Sequence, residues 1–368
     1  MHGKNGLSRI IIMENSITMS YEPNVTILIA AFNEADCIRE KAINSLELDY
    51  PSDKYDILFI TDGSTDGTEK ILREFMYDPR IRVFHNGDRR GKLAAVERGM
   101  NYVPSPIVIL TDANTILNKA AIRNIVRHYE DPMVGAVAGE KRIRKDLQNE
   151  GSGAGEGLYW KYESALKRMD SELYSVVGAA GELFSCRKEL YRSVPPDSII
   201  EDFHLSMCIA AEGYRVIYEP DAFAEEQPSA SFREEMKRKI RICAGGFQSI
   251  MRLRPLLNMN RYGVLSFQYI SHRVLRWAVT PFLLPVLFVL NGILALYGNS
   301  VYQYLFAGQI MFYTSALIGY VLDRVHLRSK IFIAPLYFTL MNIAAYAGLV
   351  RYLKGTQSAV WEKAQRKK

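Results

Sequence analysis

The feature that most constrains this chain lies towards its C-terminal end, where Trp277 to Leu322 includes no charged side chain. Buried core helices rarely run so far uncharged, whereas a bilayer core asks for about 20 consecutive apolar residues. Gly298, Asn299 and Ser300 divide the stretch into two segments of spanning length, 277–297 and 301–322, and 331–350 supplies a third. The chain is therefore expected to place a soluble part, 23–230, before interface helices at 231–268 and transmembrane segments within 269–353. A basic tail, 354–368, follows, and 1–22 reads as a leader because Ile10–Met13 is too short for the apolar core of a signal peptide.

In the soluble part, apolar β-branched runs alternate with helical patterns. Val25–Ala31, Tyr55–Thr61, Ile81–Phe84, Ile107–Thr111 and Val134–Ala138 read as strands. Helices are expected from Asn33, as cap, to Leu48; from Thr65 or Asp66 to Met76; after Lys92; and over Lys119–Tyr129. This alternation predicts an α/β fold with a doubly wound, mostly parallel sheet. Ligands of such sheets bind beyond the carboxyl ends of the strands, and Glu34, Asp62 and Asp112 each stand just past a different strand. One edge should gather all three. Asp112 and Asn114, one residue apart, offer oxygen ligands of the kind that suit magnesium or manganese.

Several lookalikes fail. D-G-S-T-D-G has Arg73 where a calcium loop needs its bidentate glutamate, and Gly91-Lys92 is followed by Leu93 rather than the Ser or Thr of a P-loop. Gly151–Gly157 has Glu156 in place of the third glycine of a dinucleotide loop and reads as a mobile loop. Cys37, Cys186, Cys208 and Cys243 are too scattered for zinc or a disulfide framework. The excess of six basic residues collects beside apolar stretches after Phe232, which favours a lipid surface and argues against nucleic acid.

The ordered set V-T-I-L-I-A-A-F-N-E, I-T-D-G-S-T-D-G-T, R-R-G-K-L-A-A, L-T-D-A-N-T, G-A-A-G-E-L-F-S-C-R and I-I-E-D-F-H-L resembles the family 2 glycosyltransferases, in particular the membrane-bound branch containing polysaccharide synthases. The resemblance implies a glycosyltransferase A fold, a nucleotide diphosphate sugar donor, commonly with uridine, and Mg2+ or Mn2+. It implies that Asp62 holds the base with Ala31, Phe32 and Glu34 beside it, that Lys92 approaches the diphosphate, and that Asp112 touches the ribose or the metal. Asn114 departs from the family's metal motif, which usually ends in Asp, and a neutral ligand binds a divalent ion more weakly.

Asp202 has two readings. It can cap the helix that ends at Gly213, and, as in the family, it can be the general base for an acceptor hydroxyl. A helix N-terminus would hold its pKa low. Glu201 reads as structural. Trp160, in an aromatic helical stretch, and Gly178–Glu182, including Gly181 and Glu182, are where an acceptor sugar is expected.

Phe232–Arg254 carries Met236, Ile240, Cys243, Phe247 and Ile250 at spacings of three and four, with basic residues between them, as an amphipathic helix lying in the membrane interface would. Within it Arg238-Lys-Ile-Arg241-Ile resembles the Q-x-x-R-W element of processive members. That likeness implies diphosphate contacts from Arg238 and Arg241 but lacks the aromatic acceptor platform, Ile242 standing in its place.

The expected enzyme is an inverting, β-linkage-forming hexosyl- or hexosaminyltransferase in the cytoplasmic membrane, its catalytic domain in the cytosol. It would use a UDP-sugar and a glycan or lipid-linked acceptor to make exopolysaccharide or surface polysaccharide. Three spans are too few to line a secretion channel in one protomer, so a non-processive lipid-carrier enzyme, or one working with a second copy or a secretion partner, stands beside a self-sufficient synthase. The basic tail argues for an even number of full crossings. A nucleotidyltransferase would need a glycine-rich, arginine-containing loop after Ala31, and a non-catalytic membrane scaffold would have no use for these strand-end acids.

Overall fold

The computed structural model describes residues 21–144, 152–228, 231–298, 300–324 and 330–360. Most of the expected leader, residues 325–329 and tail residues 361–368 lie outside the described residues. The soluble part begins β1 (Val25–Ala31), α1 (Ile38–Leu46), β2 (Tyr55–Asp62), α2 (Thr68–Arg73), β3 (Ile81–Asn86), α3 (Lys92–Met100) and β4 (Ile107–Asp112). It continues with β5 (Ile116–Leu117), α4 (Ala121–Val126), β6 (Val134–Ile143), α5 (Ser152–Leu173), β7 (Leu183–Arg187), α6 (Glu201–Ala211) and β8 (Arg215–Glu226).

All eight strands form one sheet in the order β3-β2-β1-β4-β7-β6-β8-β5. β1 pairs in parallel with β2 and β4, as β2 does with β3, so the ends of β1, β2 and β4 meet at one edge. β7 is antiparallel to both β4 and β6, and β6 is parallel to β8. Both faces are covered, which is why these strands are apolar throughout: Ile27 and Ile29 enter one core and Leu28 the other.

Several local expectations are corrected. Asn33 does not cap α1; it takes a left-handed φ of 53°, which Asn tolerates, and its side-chain carbonyl accepts the Thr65 amide at 2.8 Å. The Asp66 carboxylate does accept the Thr68 amide at the head of α2, at 3.0 Å, and also the Ala35 amide at 3.0 Å, stitching two strand-end loops together. β6 runs five residues beyond Ala138, because β8 pairs with it as far as Ile143. The glycines after Gly151 lie in the first turns of α5 rather than in a loop. The helical pattern that continues through Trp160 outweighs their low propensity there.

Behind the sheet come α7 (Phe232–Arg252), the short α8 (Met259–Tyr262) and α9 (Val264–Tyr269), and a π-helical stretch over Ile270–Val279. Then follow α10 (Thr280–Leu296), α11 (Ser300–Arg324) and α12 (Lys330–Leu353). Among the described residues, three helical stretches, Val264–Leu296, Ser300–Arg324 and Ile331–Leu353, are long and apolar enough to cross a membrane. Trp277, expected to begin the first span, is instead buried among soluble-domain neighbours, its ring edge-on to Phe203 at 5.5 Å.

The apolar stripe of α7 is also covered by protein rather than left bare for lipid. A methyl on Gly348 of α12 would come within 2.6 Å of Cys243 Cβ, so the two helix backbones touch there because Gly348 has no side chain. Phe247 stacks with Tyr352 at 6.5 Å, and the Tyr337 hydroxyl donates to Glu235 at 2.8 Å. α12 thus lies along α7 from Tyr337 to Tyr352. It also meets the base of α10, where the Tyr346 hydroxyl donates to the Pro281 carbonyl at 2.8 Å.

Candidate active site

The parallel strand ends open on two connected spaces. The smaller is lined by Ala31, Phe32, Glu34, Asp62, Arg89, Lys92, Asp112 and Asn114. The larger, about 770 Å³, shares Lys92, Asp112 and Asn114 and extends past Gly181, Glu182, Glu201 and Asp202 to Trp160, Lys167, Arg238, Lys239, Arg241 and Arg273. Val360, returning from the end of α12, lines both.

Asp62 is buried and heavily engaged. One oxygen accepts the Arg90 and Gly91 amides at 2.9 and 2.6 Å, and the other accepts from Arg98 at 2.9 Å. It holds the loop that starts α3 and delivers Lys92. The Lys92 ammonium donates to Asp112 Oδ1 at 2.6 Å and stands 3.7 Å from Glu201. Burial opposes its charge, but Asp112, Glu201 and Asp202 outweigh that and push its pKa up. Phe32 is covered by the Arg89 guanidinium, 3.9 Å from the ring centroid.

Asp202 is not the N-cap; that position is Ile200, and Asp202 is the second residue of α6, accepting the Phe203 amide at 2.9 Å. Its pKa is not low either. Burial, then the neighbouring Glu201 carboxylate, raise it to about 7. Being inside a low-dielectric cavity outweighs the favourable helix end. Glu201, expected to be structural, therefore faces the cavity and helps tune Asp202.

Gly181 is where the walls close. A Cβ there would lie 3.0 Å from Asp202 Oδ2 and 3.1 Å from Lys92 Nζ, so only glycine lets those groups stand this close to the backbone. Glu182 receives the Lys141 ammonium at 2.5 Å, and Lys141 also pairs with Glu226. Although burial works the other way, Lys141 holds Glu182 well below the usual carboxylate range. Asp112 is raised, by burial foremost, with Glu182 and Glu226 adding repulsion against the attraction of Lys92. Asn114 donates to Glu226 at 3.3 Å.

Arg238 and Arg241 line the larger cavity but not the smaller. Arg238 is paired with Glu235 at 2.9 Å, and Arg241 donates to the Ile199 carbonyl at 2.8 Å, bracing the turn before Asp202. Trp160 lines the larger cavity among cations: the ammoniums of Lys141, Lys167 and Lys239 stand 5.0, 5.5 and 5.7 Å from its ring.

Four residues absent from the sequence-based set matter here: Lys41, Lys141, Lys167 and Arg273. Lys41 is fully buried beneath β4, donating to Thr111 at 3.1 Å and the Thr115 carbonyl at 2.9 Å, and so fixes the turn that bears Asn114. A lysine among Ile38, Ala42 and Ser45, on the face that α1 buries, was the available signal.

Residues 26–194 match the family described as Glycosyl transferase family 2. The chain is 28% identical over 235 residues to the poly-beta-1,6-N-acetyl-D-glucosamine synthase of Staphylococcus aureus strain MSSA476, covering 62% of this chain and 56% of that protein. It is 26% identical, with the same coverage, to the synthase of the same name from Staphylococcus epidermidis. The chain thus spans about half the length of these curated relatives, 56% in each case. Among solved structures, the mannosyltransferase PcManGT from Pyrobaculum calidifontis, in complex with GDP-Man and Mn2+, superposes with a TM-score of 0.68 at 25% identity, covering 92% of this chain and 89% of that one. With this fold, this match over 26–194 and the strand-end residues gathered at one edge, the soluble part of the chain is similar to the family 2 glycosyltransferases and takes a glycosyltransferase A fold, with apolar helices behind it.

Proposed function

We propose that the chain is an inverting glycosyltransferase that moves a sugar from a nucleotide diphosphate sugar, with a UDP-sugar as the leading donor, to a glycan or lipid-linked acceptor at a membrane, for polysaccharide synthesis. One observation carries the reading: Asp112, Lys92 and Asp202 line a single cavity, the first two 2.6 Å apart and the third beside Lys92 across Gly181. The curated relatives are polysaccharide synthases and the solved neighbour is a sugar transferase, which supports the reaction class.

The smaller pocket would take the nucleoside, with Asp62 and Phe32 on its wall, and Lys92 would face the diphosphate. Asp202, half deprotonated near pH 7, would take the proton of the acceptor hydroxyl as that oxygen attacks the sugar's anomeric carbon from the side opposite the leaving diphosphate. The cation Lys92 would offset charge growing on the leaving group. A single displacement of this kind inverts the anomeric centre.

The residues present fit a divalent ion held with the donor. Asp112 and Asn114 offer two oxygens where the smaller and larger spaces meet, and ions of this type take their remaining ligands from phosphates and water. Such an ion supplies charge neutralisation at the diphosphate. MgCl2 or MnCl2 should therefore lower the donor KM.

For the membrane arrangement, α10 and α11 would cross while α12 lies against α7 on the side of the catalytic domain. That supports an even number of crossings, with the tail on the same side as the active site. Cysteine labelling that finds residues beyond Gly355 on the opposite face would reject it.

The test is transfer or donor hydrolysis in detergent with a panel of nucleotide sugars, with and without manganese, for the native enzyme and Asp202→Asn. Undiminished transfer by Asp202→Asn, or no turnover of any donor by the native enzyme, would sink the proposal.

A further inference from the structure

The far end of the larger cavity holds a buried ammonium that no wall carboxylate contacts directly. Lys167 is 2% exposed, and its ammonium has no hydrogen-bond partner among the described residues. Aromatic faces stand beside it, Trp160 at 5.5 Å and Tyr218 at 5.9 Å, and Glu163 attracts it without a direct hydrogen bond. The nearby carboxylates are engaged elsewhere. Glu163 already receives Arg273 at 2.9 Å and Arg276 at 2.7 Å, and Glu140 accepts the hydroxyls of Ser164 at 2.5 Å and Tyr218 at 2.6 Å. Lys239, 4% exposed, lines the same wall, with Glu235 shared between it at 3.6 Å and Arg238 at 2.9 Å.

A buried ammonium with no carboxylate in hydrogen-bonding contact is costly, and aromatic faces return only part of that cost. A cavity that keeps one beside two further cations is built for an anion that arrives with a substrate. The donor's own phosphates have Lys92 at the strand ends, so this second cationic pole is left for the acceptor. Its surroundings indicate what carries the anion. Lys239 lies 5.9 Å from the ring of Tyr337, which belongs to the apolar helix Ile331–Leu353. Charge therefore abuts a helix suited to lipid.

We infer that the acceptor is a sugar carried on a lipid phosphate, its phosphate held by Lys167, Lys239 and Arg273 and its attacking hydroxyl delivered to Asp202. This rests on the reading of Asp202 as the base. The hydroxyl oxygen bonds to the anomeric carbon of the donor sugar, its proton passes to Asp202, and the bond from that carbon to the nucleoside diphosphate breaks, with the electron pair leaving on the diphosphate. The acceptor's phosphate is bound but not consumed.

Three acceptors distinguish the possibilities: farnesyl diphospho-N-acetylglucosamine, N-acetylglucosamine 1-phosphate and neutral chitotriose, each assayed with the donor found by the panel. The lipid-linked acceptor should exceed chitotriose in kcat/KM by about a hundredfold. Lys167→Met should cut that ratio roughly tenfold and Lys167→Arg should restore most of it, which a mere folding defect would not do. Chitotriose used as well as the lipid-linked sugar, or a ratio untouched by Lys167→Met, overturns the inference. Equal use of the soluble 1-phosphate overturns its lipid half. Donor hydrolysis without transfer to any of the three removes this inference alone, whereas absence of hydrolysis with every donor removes the glycosyltransferase reading beneath it.

Discussion

The Lys92 ammonium sits 2.6 Å from Asp112 and 3.7 Å from Glu201, so one cation joins the end of β4 to the first residue of α6. The chain brings these groups together from three separate elements, and Asp62 secures the loop on which Lys92 depends by accepting the Arg90 and Gly91 amides. Replacing Lys92 by Met leaves two half-buried carboxylates without their shared cation. A hydrogen bond to a charged group is worth about 1.5–3 kcal/mol, so kcat/KM for the donor should fall roughly 10- to 100-fold. Steady-state donor kinetics check this, and a lowered Tm is expected alongside.

Asp202 titrates near 7, and a base works only when deprotonated. Transfer kcat/KM should therefore rise about tenfold per pH unit below pH 7 and level off above it. In Asp202→Asn the rise should vanish and the rate drop by about 10²–10⁴. A pH profile of the two enzymes measures both effects.

Gly181→Ala places a methyl about 3 Å from both Asp202 and Lys92. One of the two must give by a few tenths of an ångström, and a misplacement of that size near reacting groups costs on the order of 10-fold. Transfer should fall by that order, and Tm only slightly, because the Lys92 side chain is flexible enough to yield. Comparing kcat with thermal unfolding tests the separation.

Lys41 is buried deeply enough that its pKa drops to about 7, burial being the main cause and Asp112 opposing it. Between that value and about 10.4 the unfolded chain binds the extra proton, so this lysine makes stability rise with pH across the window, by up to about 1.4 kcal/mol per unit. Below pH 7 both states are protonated and its contribution is flat. The difference in urea midpoint between the native protein and Lys41→Met should thus change between pH 7.5 and 9.5, and hold constant from pH 6 to 6.5.

The parallel half of the sheet was legible because each strand announces itself locally. Val25–Ala31 and Ile107–Leu110 are continuous β-branched runs, and the acids that follow them must share an edge once the strands are parallel. β7 gave no such warning. Leu183–Arg187 is short and contains Ser185 and Cys186, and its place between β4 and β6 is decided by pairing across 72 to 80 residues on one side and 46 to 50 on the other. The same distance in sequence hid Lys141, whose partners Glu182 and Glu226 lie 41 and 85 residues away. The pKa of Asp202 was misjudged for a related reason: its helix position is local information, whereas its burial beneath Gly181 and beside Glu201 arises from tertiary packing. In α7 the spacing of the apolar residues was read correctly, but spacing alone does not say whether lipid or another helix will cover them, and Gly348 is what admits α12.

The near-contact of α7 with α12 at Gly348 has a mechanical outcome. With only hydrogen atoms between the two backbones at Cys243, the helix that braces the turn before Asp202 cannot slide or roll unless its apolar companion moves too. On the role proposed for Asp202, whatever sets the depth of α12 also sets the height of the base. A hydroxyl presented a helical turn too high or too low would miss it, and linkage chemistry would then be chosen by elevation as well as by shape.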